Sequence, residues 1–380
     1  MKKKTIYIWV IAVVVFSALN IYLMATSRTY YYKALLYNYV NIDDLSLFPV
    51  RAISSTSPEE WDTSVFYNKM ELSDTLLSTL TSYSSVAFLV IKQDSILYEH
   101  YWDGYGAHSN SNSFSMAKSY ISTLVGIAID KGYIKSIDQP VSDYISAFSE
   151  DERRNITIKN LLTMSSGLDW DEGYASLFSP VTKSYYGRDL PGQMLSIKAV
   201  KKPGVVWNYM SCNTQLLAMI LESATEMRIS EFATRNLWSK IGAVQDAFWS
   251  LDQKNGSEKA YCCIYSNARD FARLGKLYMN GGRWNGSQVI SESYVREATT
   301  KANLEFTDSG GSTYGYQWWL TQRMGHDIFY ARGILGQYIF VIPDLKLIIV
   351  RLGHKRGDKN IRNELPDVEV YLDQSIEIFG

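Results

Sequence analysis

The sequence is short of the residue patterns that most often announce a reaction centre. It has three cysteines in 380 residues, Cys212, Cys262 and Cys263. None has the C-x-x-C spacing of a metal site, and adjacent cysteines rarely bridge each other, so three buried, small apolar side chains are expected and no disulfide framework. Histidine is as scarce, with only His100, His108, His326 and His354, and no H-E-x-x-H pair is available to hold zinc. No G-x-S-x-G elbow occurs. The glycines of "DGYGAHS" and "GGRWNG" lack the strand–G-x-G-x-x-G–helix setting of a dinucleotide site and read as turns. An excess of one charge is missing too. The formal net charge is −1, and Lys2, Lys3 and Lys4 form the only basic cluster. Nucleic acid is therefore not an expected partner, because a phosphate-neutralising face needs many cations together. No metal ion and no organic cofactor is expected either.

What is present is apolar and aromatic. Hydrophobic residues make up 46% of the chain and charged residues 20%, enough for a large core. The 28 tyrosines serve packing first, and some could line a cleft for an apolar or amide substrate. Residues 6 to 25, "IYIWVIAVVVFSALNIYLMA", carry no charge. At 1.5 Å per residue the run reaches about 30 Å, the thickness of a hydrocarbon core. It is longer than the apolar stretch of a cleaved signal peptide and has no distinct A-x-A-like site. The expectation is a membrane anchor or signal segment over 1–26, uncleaved, with the lysines inside and the rest exported.

Residues 27–80 form an aromatic-rich approach segment, and 81–380 the main domain. "SSVAFLVIKQDSILYEHYWDGY" (85–105) alternates like two strands around a Gln93-Asp94 turn. "SMAKSYISTLVGIAIDKGYI" follows as a largely buried helix, with Asn112 or Ser113 to cap it and Gly132 to stop it. Helical periods dominate 133–254. "DIFYARGILGQYIFVIPDLKLIIVRLG" (327–353) reads as two strands joined at Pro343-Asp344, and "SIEIFG" closes the chain after a last helix. The fold class is therefore α+β. An antiparallel sheet is flanked by helices, with a mostly helical insertion at about 133–254 and an N-terminal transmembrane helix.

Within "SNSFSMAKSYIST" (110–122), Ser115 and Lys118 are three residues apart and share a helix face. Lys118 could be an ordinary surface cation. It could instead be the base for Ser115, since an amine held out of water can take a serine proton without a histidine. The first turn of a helix also favours developing negative charge. The setting favours the second reading, because the pair falls where the hairpin hands over to a buried helix and no other nucleophile system competes. "KPGVVWNYMSCNTQLLAMILESATE" places Tyr209 at a turn before another apolar helix, where a tyrosine near a lysine can pass a proton on.

These stretches, with "NLLTMSSGLDW" (160–170), "YCCIYSNARDFARLGKLYMNGGRWNG" (261–286) and "ARGILGQYIFVIPDLKLIIVRLG", resemble the serine β-lactamase and penicillin-binding-protein superfamily. The likeness runs over roughly 80–375. It is greatest to the class C β-lactamase-like esterases and amidases, the group that includes 6-aminohexanoate-dimer hydrolases. The resemblance implies a β-lactamase/transpeptidase-like fold, Ser115 as acylated nucleophile, Lys118 as its base and Tyr209 as the Y-x-N tyrosine. It implies an oxyanion hole from the backbone N–H groups of Ser115 and Ile334, such donors typically supplying about 3 kcal/mol each. Tyr174, Ser211, Gly333 and Gln337 would meet substrate. Two departures are visible. Ser211 occupies the third position of Y-x-N, with Asn213 as a substitute, and "ARGILG" stands where penicillin-recognising enzymes have K-T-G or H-T-G. The lost triplet puts β-lactam turnover in doubt. Arg332 could replace its charge or be a solvated edge residue.

The implied function is hydrolysis of small esters or linear amides through an acyl-enzyme, at a bacterial cell membrane with the catalytic domain exported. The alternatives are a D,D-peptidase or weak β-lactamase acting on cell-wall-like amides, and a non-catalytic membrane-tethered sensor. Retention of Ser115, Lys118 and Tyr209 together favours the enzyme.

Overall fold

A computed structural model describes residues 2–26, 28–174, 176–306, 313–358 and 365–380. Its principal helices are α1 (Lys2–Ala25), α2 (Tyr30–Tyr37), α3 (Asp74–Ser82), α4 (Ala117–Asp130), α5 (Pro180–Tyr186), α6 (Ser211–Thr225), α7 (Ala268–Met279) and α8 (Pro366–Phe379). The strands that matter here are β1 (Val50–Ile53), β2 (Asp62–Thr63), β3 (Ser85–Lys92), β4 (Ser95–Tyr101), β5 (Ser111–Asn112), β6 (Ala247–Ser250) and β7 (Ile264–Ser266). They continue with β8 (Thr313–Tyr314), β9 (Trp319–Arg323), β10 (His326–Gly333), β11 (Gln337–Ile342) and β12 (Leu347–Gly353).

Eight strands form one sheet in the order β8-β9-β10-β11-β12-β3-β4-β2. All its pairings are antiparallel except the short β2–β4 contact. Both faces are covered, which is why β3, β11 and β12 are apolar at nearly every position rather than alternating. Phe88, Val90, Phe340 and Ile349 face a core completed by α3 and α8. Leu89, Ile91, Val341 and Ile348 face the larger core beneath α4 and α7. Gly275 lets α7 lie close on that face, because a Cβ there would stand 3.0 Å from Ile348 Cγ2. A second sheet, β1-β6-β7-β5, sits beside the first. Segment 27–80 is woven into this frame, with Val50 to Ile53 paired to Ser250 to Ala247 and α3 packed on α8.

Several expectations are refined. The β3–β4 hairpin forms as expected, with Gln93 and Asp94 both at positive φ in the turn. Residues 327–353 make three strands, not two, because Ile334–Gly336 breaks the run with left-handed Leu335 and Gly336. "SIEIF" lies inside α8 rather than after it. The reading of three unbridged cysteines is corrected. Cys263 adopts φ 73°, which turns it toward its neighbour, and Cys262 and Cys263 are disulfide-bonded. Cys212 is free and buried.

Helix α1 contains a 22-residue apolar stretch, Lys4–Ala25, whose best 18-residue window has mean hydropathy 2.3 and is almost wholly unburied. It has the length and composition to cross a membrane.

Candidate active site

The site is built where the second sheet hands the chain to α4. Ser113 N–H donates to the Ile264 carbonyl (2.7 Å), and Ser113 Oγ accepts from Ile264 N–H (3.1 Å). Asn112 or Ser113 was expected to cap α4; the Ser113 side chain is taken up by Ile264 and makes no cap bond, and Asn112 bonds elsewhere. Its Oδ1 instead accepts from Phe114 N–H (3.0 Å), while its amide donates to the Tyr265 hydroxyl (3.0 Å). These bonds hold Phe114 at φ 42°, a conformation unfavourable for a bulky residue and common beside reacting groups. The turn Phe114–Met116 then leads into α4, and twelve of that helix's fourteen residues are buried. Ser115 therefore sits at the head of a helix with its backbone anchored from behind.

Lys118 is 1% exposed. Its Nζ donates to Ser115 Oγ (3.0 Å), Ser211 Oγ (3.2 Å) and the Tyr261 carbonyl (2.9 Å). Three acceptors match its three donors. The rings of Tyr209 and Tyr261 flank it, with centroids 5.0 and 5.7 Å from Nζ. This is not a surface lysine. Tyr209 is half-buried in an aromatic wall with Trp207, Tyr314 and Trp319.

Ser211, not Asn213, takes the place beside the amine. Asn213 Oδ1 accepts from Ser166 Oγ (2.6 Å), and its amide contacts Met164 Sδ (3.4 Å). The Ser211 hydroxyl donates onward to Glu172 Oε1. Glu172 collects three further donors: Ser211 N–H (2.9 Å), Trp170 Nε1–H (2.7 Å) and the Tyr174 hydroxyl (2.7 Å). A carboxylate is thus wired to Lys118 through one hydroxyl, and the same carboxylate fastens the loop that carries Tyr174. Tyr174 is 47% exposed, and its hydroxyl is turned onto Glu172. Burial and the Glu172 charge push that hydroxyl's pKa well above the ordinary tyrosine value.

The strand side of the site is set by β10. At Gly333 a Cβ would lie 2.4 Å from the Ser113 carbonyl, so the strand end meets the nucleophile turn backbone to backbone. Ile334 follows directly. Gln337, expected to meet substrate, is buried. Its amide donates to the carbonyls of Ile334 (3.1 Å) and Gly353 (2.7 Å) and accepts from Gly353 N–H (3.0 Å). It holds the Ile334 peptide in place. Arg351 reinforces the same turn, donating to the carbonyls of Leu335 (3.0 Å) and Gly336 (2.7 Å). Arg332 lies over the Trp319 ring at 3.6 Å, so it is stacked on the aromatic wall rather than free at a strand edge. No group of three or more histidine, cysteine, aspartate or glutamate side chains that could hold a metal occurs among the described residues.

Glu172 and the Tyr261 carbonyl escaped the sequence reading. "DWDEG" offers three acidic residues in a loop with nothing to single out the third, and a backbone acceptor has no sequence signal. A half-buried serine at a helix head, in contact with a buried lysine and beside a sheet covered on both faces, is an arrangement that nucleophilic serine chemistry can use.

Residues 74–370 match the beta-lactamase family, and the chain belongs to it. It is a hydrolase of the serine β-lactamase and penicillin-binding-protein superfamily. A 6-aminohexanoate-dimer hydrolase of Paenarthrobacter ureafaciens is 29% identical over 283 residues, covering 70% of this chain and 71% of that protein. The crystal structure of a family VIII carboxylesterase superposes with TM-score 0.64 at 17% identity, over 84% of this chain and 99% of the other. A penicillin-binding protein from Bacillus halodurans gives 0.59 at 18% identity, over 80% and 100%.

Proposed function

We propose that the chain is a membrane-anchored, exported hydrolase that forms an acyl-enzyme on Ser115 and releases it with water, acting on small esters or linear amides. The observation that carries this is the 3.0 Å contact between the buried Lys118 Nζ and the half-buried Ser115 Oγ. For the attack Lys118 must be the neutral amine, its contact with Ser115 reversed so that Nζ accepts; as Ser115 Oγ attacks the substrate carbonyl its proton passes to that lone pair, and the N–H groups of Ser115 and Ile334 receive the developing oxyanion. Tyr209, against the amine, passes the proton to the leaving alcohol or amine. A water molecule then repeats the sequence on the acyl-enzyme. Gly333 and Ser211 shape the floor of the site, and Tyr174 closes over the substrate from its loop.

The assignment of linear amides and esters draws support from the dimer hydrolase and the carboxylesterase among the similar proteins. The absent K-T-G triplet argues against efficient β-lactam turnover. In this reading residues 1–26 are the anchor with Lys2 to Lys4 on the inner side, 27–80 brace the domain, and 133–254 roof the cleft.

The test uses the full chain in detergent, incubated with a fluorophosphonate probe and separately with a p-nitrophenyl acyl ester. Intact mass and ester turnover are followed in wild type, Ser115→Ala and Lys118→Ala. Labelling and turnover in wild type alone support the reading. An unlabelled wild type, or equal labelling of Ser115→Ala, overturns it in favour of a non-catalytic sensor.

A further inference from the structure

Helix α2 has two apolar faces where its packing needs one. Tyr30 and Ala34 are buried against the domain. Tyr32, Leu35 and Leu36 recur at i, i+3 and i+4 and are all exposed, Leu36 by 76%, and Tyr39 just past the helix is exposed as well. An outward apolar stripe of this kind marks a surface that is covered by something. Its position in the chain says by what. Helix α2 begins five residues after the apolar stretch ends at Ala25, so it cannot stand far from a bilayer that α1 crosses. It also folds back along α1, for the Tyr32 hydroxyl donates to Asn20 Oδ1 (2.7 Å). Asn20 lies five residues inside the end of the span, about 7.5 Å below it at the helical rise. That is the depth at which interfacial helices bury their apolar side, about 5–10 Å. Exposed Tyr22, Tyr37 and Tyr39 supply the aromatic belt expected at this level.

The same region touches the candidate site. Phe178 is 80% exposed and packs edge-on against Tyr31 of α2 at 5.7 Å. It belongs to the loop that carries Glu172 and Tyr174. Just past α2, the Ile42 carbonyl accepts from Asn112 N–H (3.1 Å), three residues before Ser115.

We propose that the outward face of α2, with Phe178, rests in the boundary layer of the bilayer crossed by α1, so that the site opens toward amphiphilic esters or amides held in that membrane. The proposal rests on the reading of α1 as a span and of Ser115 as nucleophile. Cation balance fits a lipid surface, since Arg28 is exposed beside the stripe, donating to the Tyr22 hydroxyl (2.7 Å). The membrane is thus both tether and second surface of the enzyme.

The test places an environment-sensitive nitrobenzoxadiazole probe on single cysteines in the full chain, at Leu36→Cys, Phe178→Cys and Met324→Cys. Met324 is 53% exposed in the β9–β10 turn, at the end of β10 remote from Gly333, about 25 Å away along the strand. Unsubstituted chain gives the background from Cys212. The protein is reconstituted in phosphatidylcholine–phosphatidylglycerol vesicles with a shallow doxyl-lipid quencher. Quenching at 36 and 178 at least roughly twofold stronger than at 324 is the expected result for residues at acyl-boundary depth. Vesicle-inserted protein with equal quenching at all three positions overturns the surface while leaving the span intact. Protein that does not partition into vesicles overturns the span and this proposal together. In parallel, Leu36→Glu should leave turnover of a water-soluble ester unchanged and lower turnover of a vesicle-held long-chain ester several-fold. Equal loss on both substrates, or loss on neither, refutes the opening toward the membrane. An unsubstituted chain that turns over no soluble ester instead points to failure of the Ser115 reading.

Discussion

Glu172→Gln tests whether the carboxylate wired to Lys118 matters. Each Glu172 oxygen accepts two bonds: Oε1 from the hydroxyls of Ser211 and Tyr174, Oε2 from Ser211 N–H and Trp170 Nε1–H. A glutamine keeps one oxygen and turns an NH2 group toward the other two donors. Two charge-assisted bonds are lost and two donors are left facing donors. At about 1.5–3 kcal/mol per bond to a charged group, the local loss is about 3–6 kcal/mol if the loop stays closed. The loop is a surface element, so it relieves that loss by swinging out, which caps the effect on global stability but releases Ser211. The part felt at the nucleophile is then one charge-assisted bond, and the expected fall in kcat/KM for a soluble ester is about 10- to 150-fold. Thermal unfolding should shift by only a few degrees. Ser211→Ala should fall by a comparable factor, and the double variant should be no worse than the poorer single one, since both act through the same contact. Circular dichroism confirms the fold, and ester kinetics give the factors. Glu172→Gln within twofold of wild type, beside an inactive Lys118→Ala, would show that the chain from Glu172 to Lys118 carries nothing.

Three further outcomes follow from the geometry. Gly333→Ala forces a methyl against the Ser113 carbonyl at 2.4 Å; overpacking of about 1–3 kcal/mol should appear as a lower denaturation midpoint, with ester turnover falling more than tenfold as Ile334 N–H moves off line. Arg351→Leu strips donors from the carbonyls of Leu335, Gly336, Lys355 and Tyr83, and a loss of at least about 3 kcal/mol is expected in urea unfolding. Lys259 is fully buried, its Nζ has no hydrogen-bond partner, and it sits 3.0 Å from the Phe48 ring centroid. Burial, and then the nearby Lys33, hold its pKa well below the ordinary 10.5, against the opposing pull of Asp252 and Asp44. Between its depressed native value and 10.5 the unfolded chain binds a proton that the native chain does not, so this group makes stability rise with pH across that interval. Lys259→Met should raise stability near neutral pH by about 1–3 kcal/mol and flatten the alkaline rise, measured by urea unfolding from pH 7 to 10. An unchanged pH slope refutes the assignment.

The sequence was most legible where spacing and chemistry coincided. Ser115 and Lys118 needed only the helix period to be placed together, and the β3–β4 hairpin only its alternation. Resemblance, not pattern, selected Tyr209 from 28 tyrosines. The third strand of 326–353 stayed hidden because the break between β10 and β11 carries no proline or polar turn residue; it depends on the backbone dihedrals of Leu335 and Gly336, with just Gly333 and Gly336 to hint at them. Glu172 was illegible because its four donors come from positions 170, 174 and 211, a convergence that only the folded loop creates. The Cys262–Cys263 bond was read against, since it depends on the left-handed turn at Cys263. Gln337 was placed at the right turn with the wrong partner: polarity beside a cleft does not say whether a side chain faces ligand or backbone.

The large sheet ends in β8 on one side and β2 on the other, each of two residues. A protein held in a membrane is confined to a plane, where neighbours meet far more often than in free solution. A long bare strand edge would then invite chain-to-chain pairing. On the β2 side, the β4 backbone beyond that short strand is taken up by Asn68, whose N–H bonds the Leu97 carbonyl and whose side chain bonds both backbone groups of Glu99. Anchored as proposed, molecules of this hydrolase would crowd on one membrane face with that sheet edge closed to strand pairing.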